Sequence, residues 1–221
     1  MRALALVLAM SLMLAGSANA EPAEPNITDP MGMIDTVTPE LVSGLLSELG
    51  AQRLETRDRA SGGKVVLYYE NDTPFNLIVG ACDVRPNKCL ALAEVVVLAT
   101  DGAEVSLDII NTLNKEGLFM TVFQVDKTKI GFGHVFLVDG GVTRKHLAIS
   151  MASFSVTLKQ VVDRLQALLI TNAKISGLPP SVGYARARVS PARIEPKDWA
   201  TIEAALRLQS QSLLNRSLQH R

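Results

Sequence analysis

An excess of charge of either sign is missing from this chain of 221 residues, in which 22 Lys and Arg balance 22 Asp and Glu. Nothing global therefore recruits nucleic acid. Cysteine is scarce: Cys82 and Cys89 are the only two, and their spacing is not the C-x-x-C of a redox site. A zinc centre would need two more ligands from His134, His146 or carboxylates, none of which stands at a helpful spacing. Nucleophile motifs are missing as well. There is no G-x-S-x-G, and GFGHVF at residues 131–136 lacks the third glycine of a phosphate loop and lies within a strand-like run. With nucleophile, base and oxyanion donors all unfilled, the reading is of a non-enzymatic protein with no cofactor and no metal. Long apolar runs are also absent beyond the N-terminus, since Cys89–Ala99 has only the length of a strand and contains Glu94.

What is present begins with MRALALVLAMSLMLAGSANA, residues 1–20, where one basic residue, an apolar stretch and a small-x-small end at Ala18 and Ala20 read as a cleavable secretory signal. Its apolar run, Ala3–Ala15, falls short of the roughly 20 residues needed to span a bilayer. The expectation is an exported, periplasmic protein with no transmembrane span after cleavage. Export places Cys82 and Cys89 in an oxidising compartment, at the end of one strand and the start of the next, where a disulfide is expected. So short a loop adds only about 2 to 3 kcal/mol on the chain-entropy estimate.

Residues 21–36 are proline-rich and read as a flexible leader. Thr38 then caps a helix with Pro39 at its first position, an apolar face of Leu41, Val42, Leu45, Leu46 and Leu49, and Gly50 as its stop. Strand-like runs follow near 52–56, 64–70, 74–82 and 89–98, suggesting an antiparallel meander. Ser106 caps a short helix through Lys115 that presents Leu107, Ile110 and Leu113, and the strands 119–125 and 130–138 flank DKTK as a hairpin, the second ending at the Asp139-Gly140-Gly141 turn. From Thr143 the recurrence of Leu147, Met151, Phe154, Leu158, Val161, Leu165 and Leu168 marks a long helix, whose stripe reads as a packing face. His134 alternates with Phe132 and Phe136 and reads as a strand histidine, hydrogen-bonded or at a sheet edge. His146 opens the long helix beside Arg144 and Lys145, a basic cluster opposed to the helix dipole.

Residues 171–196 read as a linker, and 197–221 as a C-terminal amphipathic helix lined by Trp199, Ile202, Leu206 and Leu213. That helix either folds back on the sheet or stays free for a partner or an anionic surface. Ser181–Arg221 carries seven basic and three acidic residues, so Arg186, Arg188 and Arg193, with Trp199, are candidate partner contacts.

Taken together, residues 37–170 resemble the YbjN family, described as bacterial sensory transduction regulators with a type III secretion chaperone-like fold. The resemblance rests on ELGAQ, NLIVGACD, CLALAEVVVLA, IINTLNKEG, GLFMTVFQVDKTKIGFGHVFLVDGGV and ASFSVTLKQVVDRL, with Asn111, Asn114, Gly140 and Gly141 as structural markers. It implies an α+β fold, an antiparallel sheet flanked by helices, no enzyme activity, and binding of a protein partner or a second copy as a homodimer. The alternative expectation is an envelope-associated scaffold that docks through its basic C-terminal tail.

Overall fold

The computed structural model describes residues 27–51, 53–58, 64–70, 72–80, 89–116, 119–175 and 188–219. The signal, Cys82, Arg186 and His220 lie outside them. Nine strands and four helices follow one another along these residues: β1 (Met33–Ile34), α1 (Pro39–Glu48), β2 (Leu54–Asp58), β3 (Lys64–Glu70), β4 (Thr73–Gly80), β5 (Ala91–Thr100), α2 (Leu107–Lys115), β6 (Thr121–Asp126), β7 (Lys129–Leu137), β8 (Val142–Thr143), α3 (Arg144–Ile175), β9 (Val189–Pro191) and α4 (Asp198–Gln219). Seven strands make one open antiparallel sheet in the order β2-β3-β4-β5-β7-β6, with β9 pairing the far end of β5. The fold is α+β, and the meander expected of the first four strands is present.

Strand alternation divides the side chains of this sheet between two apolar layers. One layer, including Val66, Leu77, Leu92, Val96, Ile130, Phe132 and Phe136, packs under α1, α2 and α3. The other, including Val65, Leu67, Ile78, Val95, Val97, Phe123 and Val135, meets Ile202 and Leu206 of α4. Both faces are thus buried over the centre, which is why β5 reads as an apolar run without alternation.

Local chemistry explains the helix boundaries. The Thr38 hydroxyl accepts from the Leu41 amide at 3.2 Å and the Ser106 hydroxyl from the Ile109 amide at 3.4 Å. The helical stop at Gly50 has a φ of +87°, which a side chain disfavours. On α2 the buried face is Ile109, Ile110 and Leu113, while Leu107 is exposed. Leu107 falls outside because Val105, buried and bonded through its amide to the Lys127 carbonyl, sets how the helix leaves the sheet. The stripe of α3 is buried as read from Leu147 to Leu165, but its last buried member is Leu169, with Leu168 only half-buried.

Two segments differ from the sequence reading. Residues 27–36 of the leader are bound to the fold: Ile27 and Ile34 are buried, and β1 pairs with β8. The physical reason lies at the start of α3, whose first amides have no partner within the helix. The amides of Arg144 and Lys145 donate to the carbonyls of Gly32 and Pro30, both at 2.9 Å, and that of His146 to the Thr143 hydroxyl. The supposed linker also carries structure. Residues 171–175 continue α3, and Val189–Pro191 form β9 against Leu98–Thr100, with Ala192 buried.

Candidate functional site

The sequence-marked residues fall into three places. Asn114 works at the β6 edge of the sheet: its side-chain amide donates to the Val122 carbonyl at 2.8 Å and its oxygen accepts the Val122 amide at 2.9 Å. It thus stands in for a neighbouring strand at one residue of an edge that, among the described residues, pairs with no further strand. Asn111 is exposed on the same helix. Gly140 and Gly141 hold φ of +88° and +90° in the turn after β7, where a β-carbon on Gly141 would also meet the Met33 side chain. Asn114, Gly140 and Gly141 thus serve the local backbone geometry.

Arg144 turns back to Glu48 of α1 at 3.0 Å and gives its Nε to the Thr28 carbonyl, so leader, α1 and α3 are tied at one point. His134 belongs to neither environment expected of it. β7 lies inside the sheet between β5 and β6, and Nδ1 is buried with no hydrogen-bond partner among the described residues. The ring packs edge-on against Phe136 and Phe119, with centroids at 4.1 and 5.0 Å. Burial pushes its pKa down to about 4, so the imidazole is neutral at pH 7. Opposite it in register, the fully buried Glu94 accepts the Tyr68 hydroxyl at 2.6 Å.

Gly131 and Gly133, which gave the run its resemblance to a phosphate loop, are packing glycines. A β-carbon on Gly131 would stand 2.3 Å from the Phe123 ring, and one on Gly133 would stand 3.0 Å from Leu206 of α4. The absence of side chains here lets α4 lie on the sheet. Its N-terminus is anchored by Lys129, which reaches the buried Asp198 at 3.1 Å, while the Asp198 carboxylate also accepts the Glu195 amide.

With α4 over β6 and β7, the remainder of that face forms a cleft of about 870 Å³ bounded by β2–β4 and the β9–α4 connection. Arg193 and Trp199, two of the four candidate contacts, meet there with Arg53, Arg57 and Tyr69. Arg188 is exposed, and its carbonyl accepts the Asp101 amide at 3.0 Å. Along the rim, Arg53 lies 4.1 Å from the centre of the Tyr69 ring and donates to Glu55 at 2.7 Å; Arg57 donates to the other Glu55 oxygen. The guanidiniums of Arg57 and Arg53 hold the Glu55 carboxyl below the usual carboxylate range. Sequence reasoning missed the Arg53, Arg57 and Tyr69 wall. Its only local signal was the alternation of charge in RLETR, which becomes a surface once β2 is laid beside β3.

Cys89 stands just before β5, its carbonyl accepting the Val37 amide at 2.8 Å and its side chain against the core. Among the described residues no group of three or more His, Cys, Asp or Glu could hold a metal ion. No described helix is long and apolar enough to cross a membrane. No protein-family model, no curated protein and no solved structure matches the chain.

Proposed function

We propose that this chain is an exported, non-enzymatic module of the YbjN type that binds a segment of a protein partner in the cleft between β2–β4 and α4. The observation that carries the reading is the cleft itself, where Trp199, Tyr69 and three arginines converge. Aromatic and arginine side chains dominate the energetics of protein interfaces, because they bury much area and donate in fixed geometry. The cleft walls carry acids as well, Asp58, Asp72 and Glu195, so they suit a mixed polypeptide better than a simple anion. In this reading a Cys82–Cys89 disulfide staples the connection leading into β5, and the exported location follows from the N-terminal signal.

Trp199 is the only tryptophan of the chain, so its emission reports directly on the cleft. The test is retention of envelope proteins by the immobilised full chain, by Arg193→Glu and by Trp199→Ala, each checked for folding by circular dichroism. The expected result is a protein retained by the parent, lost on both variants, and able to shift Trp199 emission when added in purified form. Retention of the same proteins by folded Arg193→Glu and Trp199→Ala would sink the cleft as the binding surface.

A further inference from the structure

Asn76 is a polar exception in the apolar layer that faces α4. It sits within β4, opposite Leu67 of β3 and Val95 of β5, both members of that layer, so its side chain stands on the cleft side of the sheet. Only 4% of the residue is exposed, yet it lines the cleft together with Val65 and Leu67. Its Nδ2 donates to the Val95 carbonyl at 3.3 Å, which fixes the orientation of the amide, and no described donor reaches the Oδ1 at its other end. A buried amide oxygen without a donor is costly, and the fold itself supplies none here. A molecule in the cleft is placed to supply it.

The surroundings of that oxygen narrow the group that fits. A lysine or arginine head lowered onto it would lose its water for a neutral acceptor among Val65 and Leu67. Serine and threonine have too little reach to arrive from a backbone held at the charged rim. Tyrosine carries its donor at the far end of an apolar ring, so its hydroxyl can meet the floor while the ring lies against Leu67, Ile194 and Trp199. The rim adds a second requirement. Arg53 and Arg57 are both engaged by Glu55, whereas Arg193 is exposed and forms no ion pair with a described residue. Arg193 is therefore the guanidinium left for a carboxylate of the ligand. Resting on the cleft as the binding surface, we propose that the partner segment is anchored by a tyrosine whose hydroxyl donates to Asn76 Oδ1, with an acidic residue beside that tyrosine held by Arg193.

A random peptide display library panned on the immobilised full chain tests this, followed by fluorescence anisotropy of the selected peptides. The expected peptides share a tyrosine next to an aspartate or glutamate. Replacing that tyrosine by phenylalanine should weaken binding to the parent about tenfold and leave binding to Asn76→Leu unchanged. Replacing the acidic residue by lysine should weaken binding to the parent and restore it on Arg193→Glu. Peptides selected without a tyrosine overturn the anchor, as does a library that yields no binder, or a phenylalanine loss of the same size on Asn76→Leu as on the parent. If such peptides still lose their binding on Trp199→Ala, the cleft survives without this anchor. Selected peptides that bind Trp199→Ala and Arg193→Glu as tightly as the parent overturn the cleft and the anchor together.

Discussion

At the scale of single residues, His134 has the most measurable consequence. Its folded pKa of about 4 lies below the ordinary value of 6.5, so between these limits the unfolded chain binds more protons than the folded one. Stability is then full above pH 6.5 and falls as the pH drops toward 4, below which this residue adds no further slope. Discounted for the part of the ring that solvent screens, the loss is on the order of 2 kcal/mol. Urea unfolding of the parent and of His134→Leu from pH 4 to 7 checks this. The variant should be less sensitive to acid over that window, and an unchanged slope would show that other groups set it. The histidine could be seen in the sequence, and so could its company of Phe132 and Phe136. Its distance from any edge could not, because that depends on β6 pairing beyond β7. Asn114 is a similar case: its place near a helix end was legible, but its partner Val122 was fixed only when α2 came down beside β6.

Among the elements, α2 and β6 illustrate how a helix can protect a strand. Asn114→Ala removes both bonds to Val122 and returns that residue to an open edge. The expected cost is about 1 to 2 kcal/mol, with faster hydrogen exchange at Val122 and little change at β3 and β4. Uniform exchange across the sheet would show that the clamp has no local role. The helices themselves were legible because capping and periodicity are local: Thr38 with Pro39, Ser106, and the stripe from Leu147 to Leu165 needed only their near neighbours. The ordered end of the leader was not, since nothing in ITDPMGMIDT announces that its carbonyls serve the unpaired amides of α3, more than a hundred residues away. For the same reason β9 passed as linker. Three residues of strand carry too little pattern to stand out from the prolines around them.

For the whole molecule, the sheet needs cover on both faces. The chain from Val189 onward supplies it on one side through β9, Ala192, Ile202 and Leu206. A chain ended at Gly177 would uncover part of the layer of Val97, Phe123 and Val135. It should bind a hydrophobic dye and aggregate at concentrations where the full chain stays dispersed. A well-behaved truncated domain with an unaltered melting temperature would instead make β9 and α4 dispensable to the core. This dependence also bears on the basic tail: its Arg207 lies in a helix that is docked on the sheet, with Lys129 and Asp198 holding the helix start.

By itself the sequence determined the α+β class, the order and type of most elements, the meander, and the packing stripe of α3, because each follows from short-range periodicity and turn chemistry. It also marked Arg193 and Trp199 as surface groups of interest. Only the tertiary structure decided which face α4 covers, that the leader caps α3, and that Arg53, Arg57 and Tyr69 complete a cleft with Arg193 and Trp199. Those outcomes depend on which strands become neighbours and which edges remain open. Such choices are made by burial summed over the whole fold, and no window of the sequence contains that sum.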